Sequence, residues 1–252
     1  MDGGGIFLRC NKVEFEKKLL GEILRILWFL AKLLFILCLP ALLLAASIAG
    51  AVNSLWLYQY GFEKYDVSRT TGLPGTELAK AAEGLIDYFN SDEEYINLIV
   101  IKDGQPLELF KQREIAHLRD VKGLFRLDYC VLLGALVYAL GYTILSLVWR
   151  RQPGRLAWGL IGGGSLTLGL MLILGLAILL NFDQLFRQFH LISFSNELWQ
   201  LDPTHDYLIM LFPGGFWYDA ARFCALATVV GAVALGGVGG YLLLRRTRLI
   251  NK

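Results

Sequence analysis

Motifs for metal binding and for nucleophilic catalysis are missing from this sequence of 252 residues. It has three histidines and four cysteines, without an H-E-x-x-H or a C-x-x-C spacing, so a metal site would need scattered ligands of low specificity. No G-x-S-x-G precedes a helix, which removes the usual serine nucleophile. A disulfide framework is not expected, because the cysteines lie before, within or at the edge of apolar stretches; they are Cys10, Cys38, Cys130 and Cys224.

Charge is also missing from four long stretches of the chain. Residues 33–56, 129–149, 156–180 and 223–244 contain no Asp, Glu, Lys or Arg. Each stretch is about 20 residues or longer, enough at ~1.5 Å per residue to cross a ~30 Å hydrocarbon layer. Only 18% of the residues are charged, and the mean hydropathy is +0.51. The chain is therefore predicted to be an α-helical membrane protein with four transmembrane helices.

The first of these stretches has one feature of a secretory signal. Ser47-Ile48-Ala49 resembles a cleavage site. The stretch itself and the segment that precedes it, up to Lys32, are both longer than the corresponding parts of a signal peptide. We therefore expect a retained transmembrane helix.

Short basic segments predict the orientation of the four spans. Lys and Arg are concentrated before the first span, in the turn between the second and the third, and after the fourth, which places these segments in the cytoplasm; they are Arg9, Lys12, Lys17, Lys18, Arg25, Lys32, Arg150, Arg151, Arg155, Arg245, Arg246, Arg248 and Lys252. The net charge of +2 offers no basic stripe for nucleic acid.

The predicted order of segments follows from the spans and their orientation. It is a cytoplasmic basic, amphipathic segment (1–32), a first span (33–56), an extracytoplasmic cap (57–128), a second span (129–149), a cytoplasmic turn (150–155), a third span (156–180), an extracytoplasmic aromatic-rich segment (181–222), a fourth span (223–244) and a cytoplasmic tail (245–252).

The cap is predicted to be a small α+β unit. Thr76 is a candidate N-cap for a helix with apolar residues on one face. A β-branched run at 95–101, the turn signal Asp103-Gly104 and a returning strand at 107–110 predict a hairpin. A last helix, 112–125, is expected to run into the second span.

His117 is the first candidate for proton transfer, because imidazole titrates nearest neutral pH. It shares one face of the predicted helix with Arg113 and Asp120, so the Asp120 carboxylate is expected to orient the ring and raise its basicity. The alternative is a solvated helix face that carries a histidine by chance.

His190 is the second candidate, in the aromatic-rich segment. Asn181 or Asp183 is expected to cap a short helix that ends at this histidine. The surrounding aromatic residues are typical of an interfacial belt, while the polar residues among them fit a lipid-headgroup pocket. We expect the rings of His117 and His190 to line a single cavity. His205 lies in a turn, where a capping or exposed role is expected, outside that cavity.

Three motifs carry a resemblance to a known family. They are REIAHLRDVK at 113–122, FHLISFSNELWQLDP at 189–203 and LIMLFP at 208–213. In this order they resemble the lipoprotein intramolecular transacylase family of Gram-positive bacteria, whose members also have four spans and an outside cap. His205 and the long N-terminal segment fall outside this pattern.

The resemblance implies a reaction and its partners. The sn-2 acyl chain of a diacylglyceryl-modified N-terminal cysteine would move to the α-amine of the same cysteine, giving the lyso-form lipoprotein, in the plasma membrane and without a cofactor or metal. The implied partners are diacylated bacterial lipoproteins and membrane lipid; lipoprotein preference and oligomeric state are not specified.

Catalytic roles are assigned to His117, oriented by Asp120 as general base, and to His190 as a donor, with swapped roles or a covalent acyl-imidazole as alternatives. Candidate binding residues are Arg113 and Lys122, for headgroup or backbone carbonyls, and Asn196 and Trp199, as pocket walls. Two other classes stay open. They are a non-catalytic membrane sensor or assembly factor, and a metal-dependent membrane hydrolase with both histidines and a carboxylate around one ion.

Overall fold

A computed structural model describes the backbone of residues 3–250 and the side chains of residues 16–245 and 247. The side chains of Cys10, Arg9, Lys12, Arg246, Arg248 and Lys252, which entered the sequence predictions, lie outside the described residues. The elements are α1 (Gly3–Val52), α2 (Leu55–Lys64), α3 (Val67–Thr71), α4 (Gly75–Asn90), β1 (Ile99–Lys102), β2 (Gln105–Glu108), α5 (Gln112–Ile144), a π-helical turn (Leu145–Trp149), α6 (Pro153–Ser193), α7 (Tyr207–Leu211) and α8 (Gly214–Ile250).

Four of the helices in the described part of the chain, α1, α5, α6 and α8, are long and apolar enough to cross a membrane. With the two-stranded sheet and the short helices beside them, they confirm the predicted fold class. The first helix ends at Val52 rather than at residue 56. Ser54 begins α2 there as its N-cap, since its side chain accepts a hydrogen bond from the Leu57 backbone N–H.

Small residues bring α6 and α8 together. A Cβ atom on Gly164 would lie 2.8 Å from the Ala232 carbonyl oxygen, and one on Gly239 would lie 2.8 Å from the Ala157 carbonyl oxygen. Glycine at these positions lets the two backbones touch, as is common between transmembrane helices. The Phe35 and Tyr142 rings stack at 4.4 Å and join α1 to α5.

The cap and α7 share one core, which includes the fully buried Leu85, Val100 and Leu211. β1 and β2 pair antiparallel around Asp103 and Gly104, whose φ angles of 52° and 77° are those of a tight hairpin turn. The predicted turn is therefore correct. The predicted cap of α4 is wrong, because the helix begins at Gly75 and its N-cap is Pro74 instead of Thr76.

The third span continues outward as one element to Ser193. Helical geometry is interrupted at Asn181, where φ is −161° and ψ is 83°. The Asn181 Oδ1 atom accepts a hydrogen bond of 3.0 Å from the Gln184 N–H, so Asn181 caps the outer part of α6 as predicted. This outer part places His190 in its last turns.

Candidate active site

The structure brings His117 and His190 side by side. His117 lies near the start of α5 and His190 near the end of α6, and both lie beyond the charge-free stretches of those helices. Their ring centroids are 6.2 Å apart, with 28° between the ring planes. The exposed fractions of the two residues are 6% and 9%. Two residues separated by 73 positions in the sequence (190 minus 117) thus form one nearly enclosed pair.

Aromatic side chains surround the histidine pair. Phe194 contacts both rings, at 5.0 Å from His117 and 5.6 Å from His190. Phe186 lies edge-on to the His190 ring at 4.4 Å, and Trp199 lies 5.0 Å from it. Trp199 thus lies beside His190, and its role as a wall of the substrate pocket stays a prediction. The surroundings of the rings are apolar, which strengthens electrostatic interactions inside the site.

The hydrogen bond of His190 fixes its tautomer. Its Nδ1 atom lies 2.8 Å from the Phe186 carbonyl oxygen. A carbonyl oxygen only accepts, so Nδ1 carries the hydrogen and donates it, and in the neutral ring Nε2 keeps its lone pair. Burial lowers the pKa of His190 from its ordinary value, although this hydrogen bond opposes the shift. His190 is therefore a neutral ring whose Nε2 can accept a proton.

His117 has the complementary arrangement. Its Nδ1 atom is buried and has no partner among the described residues. Burial lowers the pKa of His117 to about 4, His190 adds to the shift, and Asp120 opposes it. A buried acceptor without a partner is tolerated better than a buried N–H without one. We therefore assign the hydrogen of the neutral His117 ring to Nε2, where it is a donor.

Asp120 does not form the predicted contact with His117. Its Oδ2 atom accepts a hydrogen bond of 2.8 Å from the Asn196 side-chain amide, and Asn196 Oδ1 accepts one of 3.0 Å from the Leu198 N–H. The carboxylate points to the loop that follows α6 instead of to the imidazole one turn away. The prediction that Asp120 orients the ring is corrected accordingly, and only its weak charge effect on the pKa remains.

Arg113 and Lys122 are both committed to protein partners. Arg113 donates to the Glu197 carbonyl at 2.7 Å and ties α5 to the loop after α6. The Lys122 ammonium donates to Ser91 Oγ and to the Glu93 carbonyl, and it lies 4.1 Å from the Tyr88 ring centroid. With 3% of Lys122 exposed, its expected role as a substrate contact is replaced by one in holding the end of α4 against α5.

His205 stands in an exposed turn, as expected from its sequence. Its carbonyl oxygen accepts a hydrogen bond of 2.6 Å from Lys111 Nζ. Among the described residues no group of three or more His, Cys, Asp or Glu side chains is arranged to hold a metal ion.

Glu114 is a residue of this region that sequence reasoning overlooked. It is 0% exposed. One carboxylate oxygen accepts from the Lys111 N–H at 2.8 Å and the other from the Leu208 N–H at 2.6 Å. Burial raises the pKa of this carboxyl. The bond to Lys111 is half of a capping box, and its three-residue spacing at the start of the predicted helix was the available signal.

A cleft of about 390 Å³ opens beside the histidine pair. Its lining residues are Arg119, Asp120, Gly123, Ser193, Phe194, Ser195 and Asn196. Neither histidine is among them, and Phe194, which contacts both rings, forms part of the wall. The Phe194 ring thus connects this cleft to the rings, and the expectation that both rings line one cavity stays a prediction.

Fold and site together define a membrane-integral helical protein with a paired-histidine site at one end of its bundle. The chain belongs to the lipoprotein intramolecular transacylase family, since residues 33–217 match the family model described as "Lipoprotein intramolecular transacylase Lit". This confirms the family resemblance of the three motifs.

The chain is also similar to individual proteins. It is 26% identical over 206 residues to an uncharacterized protein of Aquifex aeolicus, which covers 78% of this chain and 87% of that protein. The membrane integral lipoprotein intramolecular transacylase of Bacillus cereus has the same fold, with a TM-score of 0.75 and 22% identity over 87% of this chain and 97% of that one. A structure of that transacylase with a histidine replaced by arginine matches with a TM-score of 0.73 and 20% identity over 93% of this chain and 98% of that one.

Proposed function

We propose that this protein moves the sn-2 acyl chain of a diacylglyceryl-modified N-terminal cysteine to the α-amine of the same cysteine, which produces the lyso-form lipoprotein. The observation that carries the proposal is the buried histidine pair, with one ring able to accept a proton and the other able to donate a hydrogen bond. Membership of the transacylase family supports it.

The reaction needs both properties. The amine nitrogen attacks the ester carbonyl carbon, a C–N bond forms, and the C–O bond to the glycerol breaks. One proton leaves the nitrogen and one joins the glycerol oxygen, so the acyl group moves from oxygen to nitrogen while the substrate neither gains nor loses a proton. Exchange of an ester for an amide runs downhill, and the proposed mechanism uses no cofactor.

The tautomers assign the two roles. His190 Nε2 takes the proton from the attacking amine and passes it to the departing glycerol oxygen. His117 Nε2–H donates a hydrogen bond to the carbonyl oxygen as it gains negative charge, which a neutral imidazole can do. These roles are the reverse of those assigned from the sequence, because the Phe186 carbonyl fixes the His190 tautomer and Asp120 does not contact His117.

The aromatic wall has a second consequence for the reaction. Ester and amine belong to one molecule, and intramolecular reactions in a favourable geometry reach effective molarities of ~10⁵ M or more. Water competes with the amine for the same ester carbonyl. Phe186, Phe194 and Trp199 limit the access of water to the histidine pair and so favour transfer over hydrolysis.

We also propose that the site lies at the extracytoplasmic face, where the acyl chains anchor the substrate in the outer leaflet. The distribution of basic residues supports this orientation. Labelling of Glu83→Cys in intact cells with a membrane-impermeant maleimide tests it, with Arg155→Cys as the cytoplasmic counterpart and the parent chain as background. Labelling of Arg155→Cys but not Glu83→Cys before lysis would reverse the orientation.

The reaction is tested by mass spectrometry of lipoprotein N-termini from a bacterial host that lacks this activity and expresses the chain. We expect conversion of diacyl lipoproteins to the N-acyl, mono-O-acyl form. His117→Ala and His190→Ala are each expected to reduce conversion by at least ~10²-fold, while His205→Ala leaves it unchanged. Unconverted N-termini in cells with well-expressed wild-type protein would refute the proposed reaction, and full activity of both variants would refute the histidine mechanism.

A further inference from the structure

The cleft beside the histidine pair contains a single carboxylate, that of Asp120. Asn196 holds this carboxylate in place through the 2.8 Å bond to Oδ2. The Asn196 side chain is itself held by the Leu198 N–H, which fixes the amide with its NH₂ group toward Asp120. The carboxylate is therefore fixed in direction, in a cleft that is open to a ligand.

The other charged residue of the cleft wall is Arg119, and it already has partners. Its guanidinium forms an ion pair of 2.8 Å with Glu94 and lies 5.3 Å from the Tyr95 ring centroid. Gly123, one turn after Asp120 on α5, has no side chain, and a Cβ atom there would meet no other group within 4 Å. The cleft therefore offers a negative charge with room beside it, which suits a cationic group of the substrate.

The proposed substrate has such a group next to its reacting ester. An N-terminal α-amine has a pKa of roughly 7.7–8.0 in water, so it reaches the protein mainly as an ammonium. The ammonium first releases one proton to solvent. When the neutral amine then attacks the ester, its nitrogen again becomes positively charged until His190 takes the second proton. A fixed carboxylate favours both of these states of the nitrogen.

On the basis of the proposed function, we propose that Asp120 binds the α-amino group of the lipoprotein's N-terminal cysteine in this cleft, with Asn196 as the positioning residue for its carboxylate. Asp120 lies one helical turn from His117, and Phe194 joins the cleft to both rings. An amine on Asp120 is thus held beside the histidine pair, and its neighbouring ester is directed to the rings.

A binding experiment separates this role from a structural one. The probes are two peptides that carry ether-linked dialkylglyceryl-cysteine, one with its free α-amine and one with hydrogen in place of the amine. Neither probe has an acyl chain to transfer, so affinity is measured without turnover. The full-length protein is used in lipid nanodiscs at about pH 6.5, where the amine is protonated.

We expect the wild type to bind the amine probe ~10-fold more tightly than the des-amino probe, the usual effect of one charge-assisted hydrogen bond. Asp120→Asn keeps an oxygen that accepts from Asn196 but has no charge, and it is expected to reduce the preference to within ~2-fold while affinity for the des-amino probe stays the same. Asp183→Asn, a matched change of an exposed carboxylate on α6, is expected to keep the wild-type preference.

The possible results separate the inference from the proposed function. An amine preference that persists in Asp120→Asn, or is missing in the wild type, would overturn the role of Asp120. If Asp120→Asn lowered the affinity for both probes by the same factor, this would also overturn the role of Asp120, because an equal loss is the sign of a structural role. If the ester-linked peptide is not converted by the wild type, the proposed function fails, and this inference fails with it.

Discussion

The two histidine tautomers predict that glutamine is a partial substitute for one histidine and not for the other. The side-chain nitrogen of glutamine lies near the position of Nε2 in histidine, and that of asparagine lies near Nδ1. Because His117 is assigned an Nε2–H donor, His117→Gln keeps a donor where the reaction needs it. Because His190 is assigned a basic Nε2, His190→Gln places a donor where a base is needed.

The expected magnitudes follow from these roles. Loss of one donor to a developing oxyanion costs about 10²–10³-fold in rate, so His117→Ala is expected to lose that factor. His117→Gln is expected to recover at least ~10-fold of it, and His117→Asn less, because its donor is on the side of the buried Nδ1 atom. His190→Gln is expected to be as inactive as His190→Ala, at least ~10²-fold below the wild type.

Initial rates with a diacylglyceryl-cysteine peptide measure the effect. The protein is reconstituted in bilayers, and the O-acyl and N-acyl products are separated by mass spectrometry. Equal thermal stability of the variants is the control for folding. The tautomer assignment is refuted if His117→Asn is as active as His117→Gln or if His190→Gln recovers activity over His190→Ala.

Three further predictions concern stability, measured as thermal unfolding in detergent. Glu114→Ala is expected to lower the free energy of unfolding by about 3–5 kcal/mol, because it removes two hydrogen bonds to a carboxylate and leaves the buried Leu208 N–H unpaired. Glu114→Gln should lower it clearly less. Equal losses of stability in the two variants would contradict this account. The unfolded chain protonates His117 below about pH 6.5 and the folded chain only near pH 4, so the folded state loses up to about 3 kcal/mol of stability as the pH falls through this range. The His117→Gln variant should lose less stability over the same range. An equal loss in this variant would argue against a buried neutral ring. Gly164→Leu should separate α6 from α8 and cost at least about 1–3 kcal/mol, while Gly169→Leu, which meets no neighbour within 4 Å, is the matched control expected to have little effect.

The parts of the fold that local chemistry determines were predictable from the sequence. The four membrane-crossing helices follow from stretches without charge, and the hairpin follows from Asp103-Gly104, which accepts positive φ angles. The capping role of Asn181 follows from its short polar side chain ahead of an apolar helix. Each of these features depends on residues close together in the chain.

The parts that depend on distant partners were not predictable. Helical spacing places Asp120 on the face of His117, but it does not show that Asn196, 76 residues later, takes its carboxylate. The same limit applies to Lys122, whose charge suggested a surface contact, whereas the Glu93 carbonyl and the Tyr88 ring bury it inside the cap. The proximity of His117 and His190 depends on how the start of α5 and the end of α6 are placed relative to each other in the fold.

The position of the two imidazoles on long helices has a practical consequence for work with this protein. Each ring is carried on an outward continuation of a helix that also crosses the membrane, α5 for His117 and α6 for His190. Their separation therefore depends on the packing of the bundle as well as on contacts outside it, such as the bond from Arg113 to the Glu197 carbonyl. A water-soluble fragment made only from the segments 57–128 and 181–222 would contain both histidines and every residue of the cleft, yet it would lack the scaffold that holds the two rings together.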